Sequence, residues 1–201
     1  TLLQNCFSNT WPEHFWRLGT GILVLAALSL VSFTPQVATA QTVEFVTNTN
    51  DSGTGTLREA INTLNDGSGT PADTIKFDIS GSGPHEIRPS SDLPRITDPL
   101  VIDGTSEPNY PLSTTNTIDA PVVRVDGDNT SSGSDLFSVD ASESEIRGLS
   151  LTDSKDEAIE IGAQNVVIDR CYVGLSTSGG LQSNSDDPSG TQVAIRVTDS
   201  G

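Results

Sequence analysis

Few residues in this chain could do chemistry, and they are scattered. Asp186-Asp187 is the only pair of adjacent aspartates. Glycoside hydrolysis needs two carboxylates about one bond's width on either side of a sugar link, roughly 5–5.5 Å apart for retention or 6.5–9.5 Å for inversion. The pair sits in Ser-Asn-Ser-Asp-Asp-Pro-Ser-Gly, with no Gly-His-Gly run beside it. A flexible loop holds no such geometry. A polysaccharide lyase would need Ca2+ on stacked carboxylates and a nearby Arg or Lys as base. Arg147, Asp169 and Arg170 could share an outward face, where an ordinary ladder of exposed charges would also lie. Asp126-Gly127-Asp128-Asn129-Thr130 looks faintly like a calcium loop, but it lacks the central Gly and terminal bidentate Glu of an EF-hand. It reads as a solvated turn, as does Asp153-Ser154-Lys155-Asp156-Glu157. His85 stands alone and reads as a surface residue. The expectation is no catalytic residue, no cofactor and no metal, with Ca2+ the one ion this chemistry would admit. Tyr172 is the best candidate for glycan contact, with Arg147 and Asp169 beside it. Beyond residue 41 there is no Trp, and Tyr110 is the only other Tyr.

The elements that would position these residues come from a repeat. Ile146, Leu149 and Leu151 recur as Ile168, Cys171 and Val173, about 22 positions on. Ile159 and Ile161 form another short alternating run between them. A run this short cannot bury its own apolar face, whereas stacking one turn on the next buries it, with strands about 4.8 Å apart. The pattern predicts inward stacks of Ile146 on Ile168 and Leu151 on Val173. It also predicts an outward ion pair of Arg147 with Asp169, worth under about 1 kcal/mol. A β-sandwich is the alternative, since it too has many short strands.

Earlier in the chain, Val43–Val46 alternates as a first strand. Thr56 and Glu59 form a T-x-x-E capping box, and Leu57, Ala60, Ile61 and Leu64 share one helical face. This predicts a helix over 57–65, read as the plug that covers an open solenoid end. Further strands are expected at Asp73–Ile79, His85–Arg88, Pro99–Gly104, Val122–Val125, Leu136–Val139 and Val193–Val197. Residues 107–116 and 174–190 read as loops.

Residues 1–41 read as a signal peptide. Arg17 precedes an apolar run over 19–31 that is shorter than the roughly 20 residues a membrane span needs. Ala38-Thr39-Ala40 offers small residues for cleavage before Gln41. Cys6 would leave with this segment, so no disulfide could form within 42–201. Cys171 falls in an inward register and reads as a small buried hydrophobe. The start without Met and the end just after a strand-like run give the expectation that the chain is truncated at its C-terminus. The chain carries 27 Asp plus Glu against 10 Lys plus Arg, a formal charge of −17. Such a surface repels nucleic acid and anionic lipid, so neither is expected as a partner.

Asp51-Ser-Gly-Thr-Gly-Thr-Leu-Arg-Glu-Ala-Ile61, Asp73-Thr-Ile-Lys-Phe77, Leu93-Pro-Arg-Ile96 and Val101-Ile-Asp-Gly-Thr105 resemble the opening of a known group. It comprises secreted bacterial right-handed parallel β-helix proteins, pectin-lyase-like in fold, with a Cys-Ser-Leu-Arg-Glu-Ala-type motif. Gly55 and Thr56 stand where that motif has Cys and Ser, so this would be a Cys-less variant. The resemblance covers nearly all of 43–201. It implies an all-β, right-handed parallel β-helix solenoid with a short N-terminal capping α-helix, exported to the cell surface or medium. A monomer without membrane insertion after signal cleavage is expected. The expected function is non-catalytic adhesion or contact with an extracellular polysaccharide or cell-surface glycan. A polysaccharide lyase or glycosidase with catalytic turns beyond residue 201 is the alternative.

Overall fold

Apolar residues at every second position leave this chain one economical arrangement, strand laid on strand with like faces aligned. The computed structural model describes residues 40–68, 71–111, 119–181 and 194–198. Residues 1–39 of the expected signal segment, the Asp186-Asp187 loop and Val193 lie outside the described residues. The elements run β1 (Val43–Val46), α1 (Leu57–Leu64), β2 (Asp73–Phe77), β3 (His85–Ile87), β4 (Leu100–Asp103), β5 (Val123–Asp126), β6 (Phe137–Val139), β7 (Glu145–Arg147), β8 (Leu149–Thr152), β9 (Ile159–Ile161), β10 (Val167–Asp169), β11 (Tyr172–Val173) and β12 (Ile195–Val197). A single 3-10 turn, Gly104–Ser106, follows β4. The fold is mainly β, with one α-helix.

Every strand pair among these elements is parallel. The first sheet runs β1-β2-β4-β7-β10, the second β11-β8-β5-β3, and the third β12-β9-β6. Inward ladders follow the predicted register. Ile75, Ile102, Ile146 and Ile168 stack in the first sheet. Ile87, Val125, Leu151 and Val173 stack in the second. Phe137, Ile159 and Ile195 stack in the third. All but the exposed Ile195 share one core from the helix to Ile161, with Ile168, Cys171 and Val173 packed against it.

The helix forms as the capping box predicts. The Thr56 hydroxyl accepts from the Glu59 N–H at 3.2 Å, and Glu59 Oε2 accepts from the Gly55 N–H at 2.8 Å. Leu57, Ala60, Ile61 and Leu64 are buried and join the sheet core, and the helix packs on β1 and β2. Among the described residues no helix is long and apolar enough to cross a membrane.

The corner between the first and second sheets is tight. Gly148 has φ 66°, and a Cβ there would stand 2.5 Å from Thr105 Cγ2 and 2.8 Å from the Thr105 nitrogen. A Cβ on Gly104 would stand 2.3 Å from the Gly148 carbonyl oxygen. Successive corners therefore nest, with no room for a side chain between them.

The inward ladder sets an expectation for stability. Ile146 is fully buried between Ile102 and Ile168, while Ile168, on the last strand of its sheet, is half-buried. Ile146→Ala is expected to cost about 2–5 kcal/mol in urea unfolding, and Ile168→Ala clearly less. Equal losses would contradict the stack.

Candidate functional site

The outward positions of the three sheets carry the polar chemistry. On the first sheet, Lys76, Asp103, Arg147 and Asp169 are successive register partners. Arg147 does not pair with Asp169, contrary to the expected ion pair. Its Nη2 lies 2.8 Å from Asp103 Oδ2 and its Nη1 3.2 Å from Glu145 Oε1. Asp169 instead takes Arg170 at 2.9 Å. Asp103 is the better partner because it is buried, which strengthens the attraction, and because Thr105 fixes its other oxygen at 2.6 Å. Arg147 holds the Asp103 carboxyl below its ordinary range even though burial alone would raise it.

The second sheet aligns Glu86, Arg124 and Ser150 outward, with Tyr172 next in register. Arg124 is saturated: it reaches Asp126 at 2.7 Å, Asp153 at 2.9 Å, Glu86 at 3.2 Å and the Thr152 hydroxyl at 2.8 Å. The buried Asp126 also takes Arg88 at 3.0 Å and accepts from the Asp128 N–H. The faint calcium loop is thus an ion-paired turn. Ser150 is covered, its hydroxyl donating to the Leu175 carbonyl at 2.5 Å. Tyr172 is half-buried. Arg147 and Asp169 are neighbours in one sheet and Tyr172 belongs to another. Among the described residues no hydrogen bond or ion pair links any two of the three.

His85 corrects a second expectation. It is buried, not on the surface, and its Nε2 lies 3.4 Å from Glu107 Oε1. Glu107 is buried too, and its Oε2 accepts from the Ile79 N–H at 3.0 Å. The pair ties the loop after β4 to the start of β3. Cys171 packs against the core, where burial pushes its thiol up to about 11.

The third sheet presents the most unusual chemistry. Ser138, Glu160 and Arg196 are outward register partners. At their flank, Asp135, Asp156 and Glu157 bring one carboxylate oxygen each to within 4.8 Å of the others. Glu157 is 2% exposed. Its main-chain N–H donates to Asp135 Oδ1 at 3.3 Å, and Asp135 Oδ2 accepts from Ser138 at 3.2 Å. Burial, then the neighbouring Asp135 carboxyl, pushes Glu157 up to about 7. Glu160 is raised for the same two reasons. Arg196 sits on Glu157 Oε1, and Arg95 pairs with Asp140 at 2.8 Å and approaches Glu160 at 3.8 Å. An adjoining cavity of about 270 Å3 is lined by Asp92, Leu93, Arg95, Ser134, Asp135 and Ser138, with Gly133 at its rim. Reading 153–157 as a turn missed this cluster. The signal was present: Asp135 lies one repeat before Glu157, so their rungs stack.

This geometry fixes a pH dependence. The folded state binds the Glu157 proton more tightly than the unfolded chain, whose carboxyl titrates near 4.5. The penalty is absent below about pH 4.5, grows as pH rises toward 7, and is complete above that. In EDTA-containing buffer, Glu157→Gln is expected to flatten the wild-type decline between those values, by on the order of 2 kcal/mol. Parallel melting curves for both proteins across pH 4–8 would show the idea wrong.

No known protein family, curated protein or solved structure matches the chain.

Proposed function

We propose that the chain forms an exported, right-handed parallel β-helix whose rigid outer faces contact a neutral polysaccharide or surface glycan, without cleaving it. The observation that carries this reading is the cyclic order of the chain. It passes from the first sheet to the second to the third through β4, β5 and β6, then β7, β8 and β9, then β10, β11 and β12. Parallel crossovers are right-handed in nearly all proteins. One continuous coil with the helix over its first turn accounts for all three sheets and the shared core.

A glycan ligand fits the outer chemistry. Outward positions hold hydroxyls, carboxylates and guanidinium groups fixed by strand register, so many weak polar contacts can be made without ordering flexible loops. The cavity beside Ser138 is polar apart from Leu93, which suits a hydroxyl-rich ligand. A formal charge of −17 repels polyanions, which favours neutral glycans. Arg95, half-exposed at the cavity, is the leading contact, with Tyr172 a second on the next sheet. Arg147 and Asp169 are less exposed than Arg95, so they take the lesser share. Glu157, enclosed and clasped by Arg196, is badly placed to protonate a sugar link.

Binding of the full chain to insoluble neutral polysaccharides is the test. Retention is expected, with Arg95→Ala weakening it about tenfold and Tyr172→Ala less. Release of oligosaccharides from neutral or acidic polysaccharides, with or without Ca2+, would replace this reading with the catalytic one. Retention unaltered by Arg95→Ala would move the contact surface elsewhere.

A further inference from the structure

We infer that Asp135, Asp156 and Glu157 form a binding site for a hard divalent cation, Ca2+ in the first instance, at the turn preceding β9. The inference is independent of the glycan reading.

Two observations point to it. The first is geometric. Oxygens sharing a Ca2+ each lie about 2.3–2.6 Å from the ion, so they can be no more than roughly 5 Å from one another. The three carboxylates meet that bound, with ligand atoms all within 4.8 Å. The set is oxygen only, which favours Ca2+ or Mg2+ over softer metals. Ca2+ tolerates irregular geometry, whereas Mg2+ demands a near-ideal octahedron. The second observation is a buried orphan. Glu157 Oε2 has no hydrogen-bond partner, although the residue is 2% exposed. Buried polar atoms without a partner are rare, and an anionic one is the costliest kind. Its near neighbour is Asp135, another acceptor, which cannot satisfy it while both are ionised.

The surroundings fit a cation and show which protein group competes for it. Asp135 is held in place by the Glu157 N–H and the Ser138 hydroxyl. Asp156 is partly exposed and gives solvent a way in. Arg196 lies on Glu157 Oε1 and 3.9 Å from Asp156. The site thus already draws one positive charge, and a divalent ion would bind against Arg196. Removing that guanidinium should strengthen metal binding, the reverse of what an Arg serving the site would do.

Calorimetric titration of the full chain with CaCl2, after chelator treatment, tests the site. Saturable binding of one ion is expected, with a rise in melting temperature. Glu157→Gln should weaken it at least tenfold. Asp156→Asn, at a partly exposed position, should weaken it severalfold. Arg196→Ala should tighten it severalfold. Asp128→Asn, an exposed acid of the neighbouring turn, should leave it within twofold. Absence of saturable binding up to millimolar Ca2+ would overturn the inference. So would affinity that Glu157→Gln and Asp156→Asn leave unchanged, or that Asp128→Asn lowers as much as they do.

Discussion

Register is the constraint on which the rest depends. A parallel ladder fixes each residue over one partner in the rung before, and side chains alternate between the two faces. Slipping one position would carry Ile102, Ile146 and Ile168 outward and bring Asp103, Arg147 and Asp169 into the core. Burying that charge would cost far more than any outward ion pair returns. The apolar ladder thus selects the register, and the polar ladders accept the neighbours it assigns them. This is why Arg147 meets Asp103 on one side and Asp169 on the other, and only then chooses between them.

Corners carry the same constraint through the turns. Strands of two to five residues leave much of the chain in bends, each of which must repeat its shape if the rungs are to stay aligned. Gly148 and Arg170 occupy the equivalent corner in consecutive rungs, both with positive φ. Glycine adopts that conformation freely, and arginine does so at a cost. The glycine stands where the preceding corner presses against it, at Thr105. The arginine one rung on is exposed.

The repeat, the helix and the inward stacks were legible in the sequence because each rests on short-range pattern. Ile146 over Ile168 needs only the period, and the helix over Leu57–Leu64 needs only its capping box and one apolar face. What escaped reading depends on choices among neighbours. The partner of Arg147 turns on the burial of Asp103, which no spacing reveals. His85 is buried beside Glu107, which lies in an irregular loop whose path no apolar pattern reveals. The Asp135 and Glu157 rungs are separated by one repeat and could have been stacked on paper. Glu157 reads as part of a turn when taken alone, and Asp135 lies just outside the apolar run that marks its strand.

That omission bears on how the chain handles its excess negative charge. Every arginine among the described residues sits against a carboxylate. Arg58, Arg124 and Arg147 each close a local account, with acid and base both partly sheltered. The flank of the third sheet gathers Asp135, Asp156, Glu157 and Glu160 around only Arg95 and Arg196, and Arg95 is shared with Asp140. Four acids against two bases leave a deficit, and burial of Glu157 sharpens it by removing water's screening. Such a deficit is relieved by a proton or by an ion. The upward displacement of Glu157 and Glu160 is the proton's share of that relief. It arises from the same stacking that orders the core, because rungs aligned for their isoleucines also align their acids.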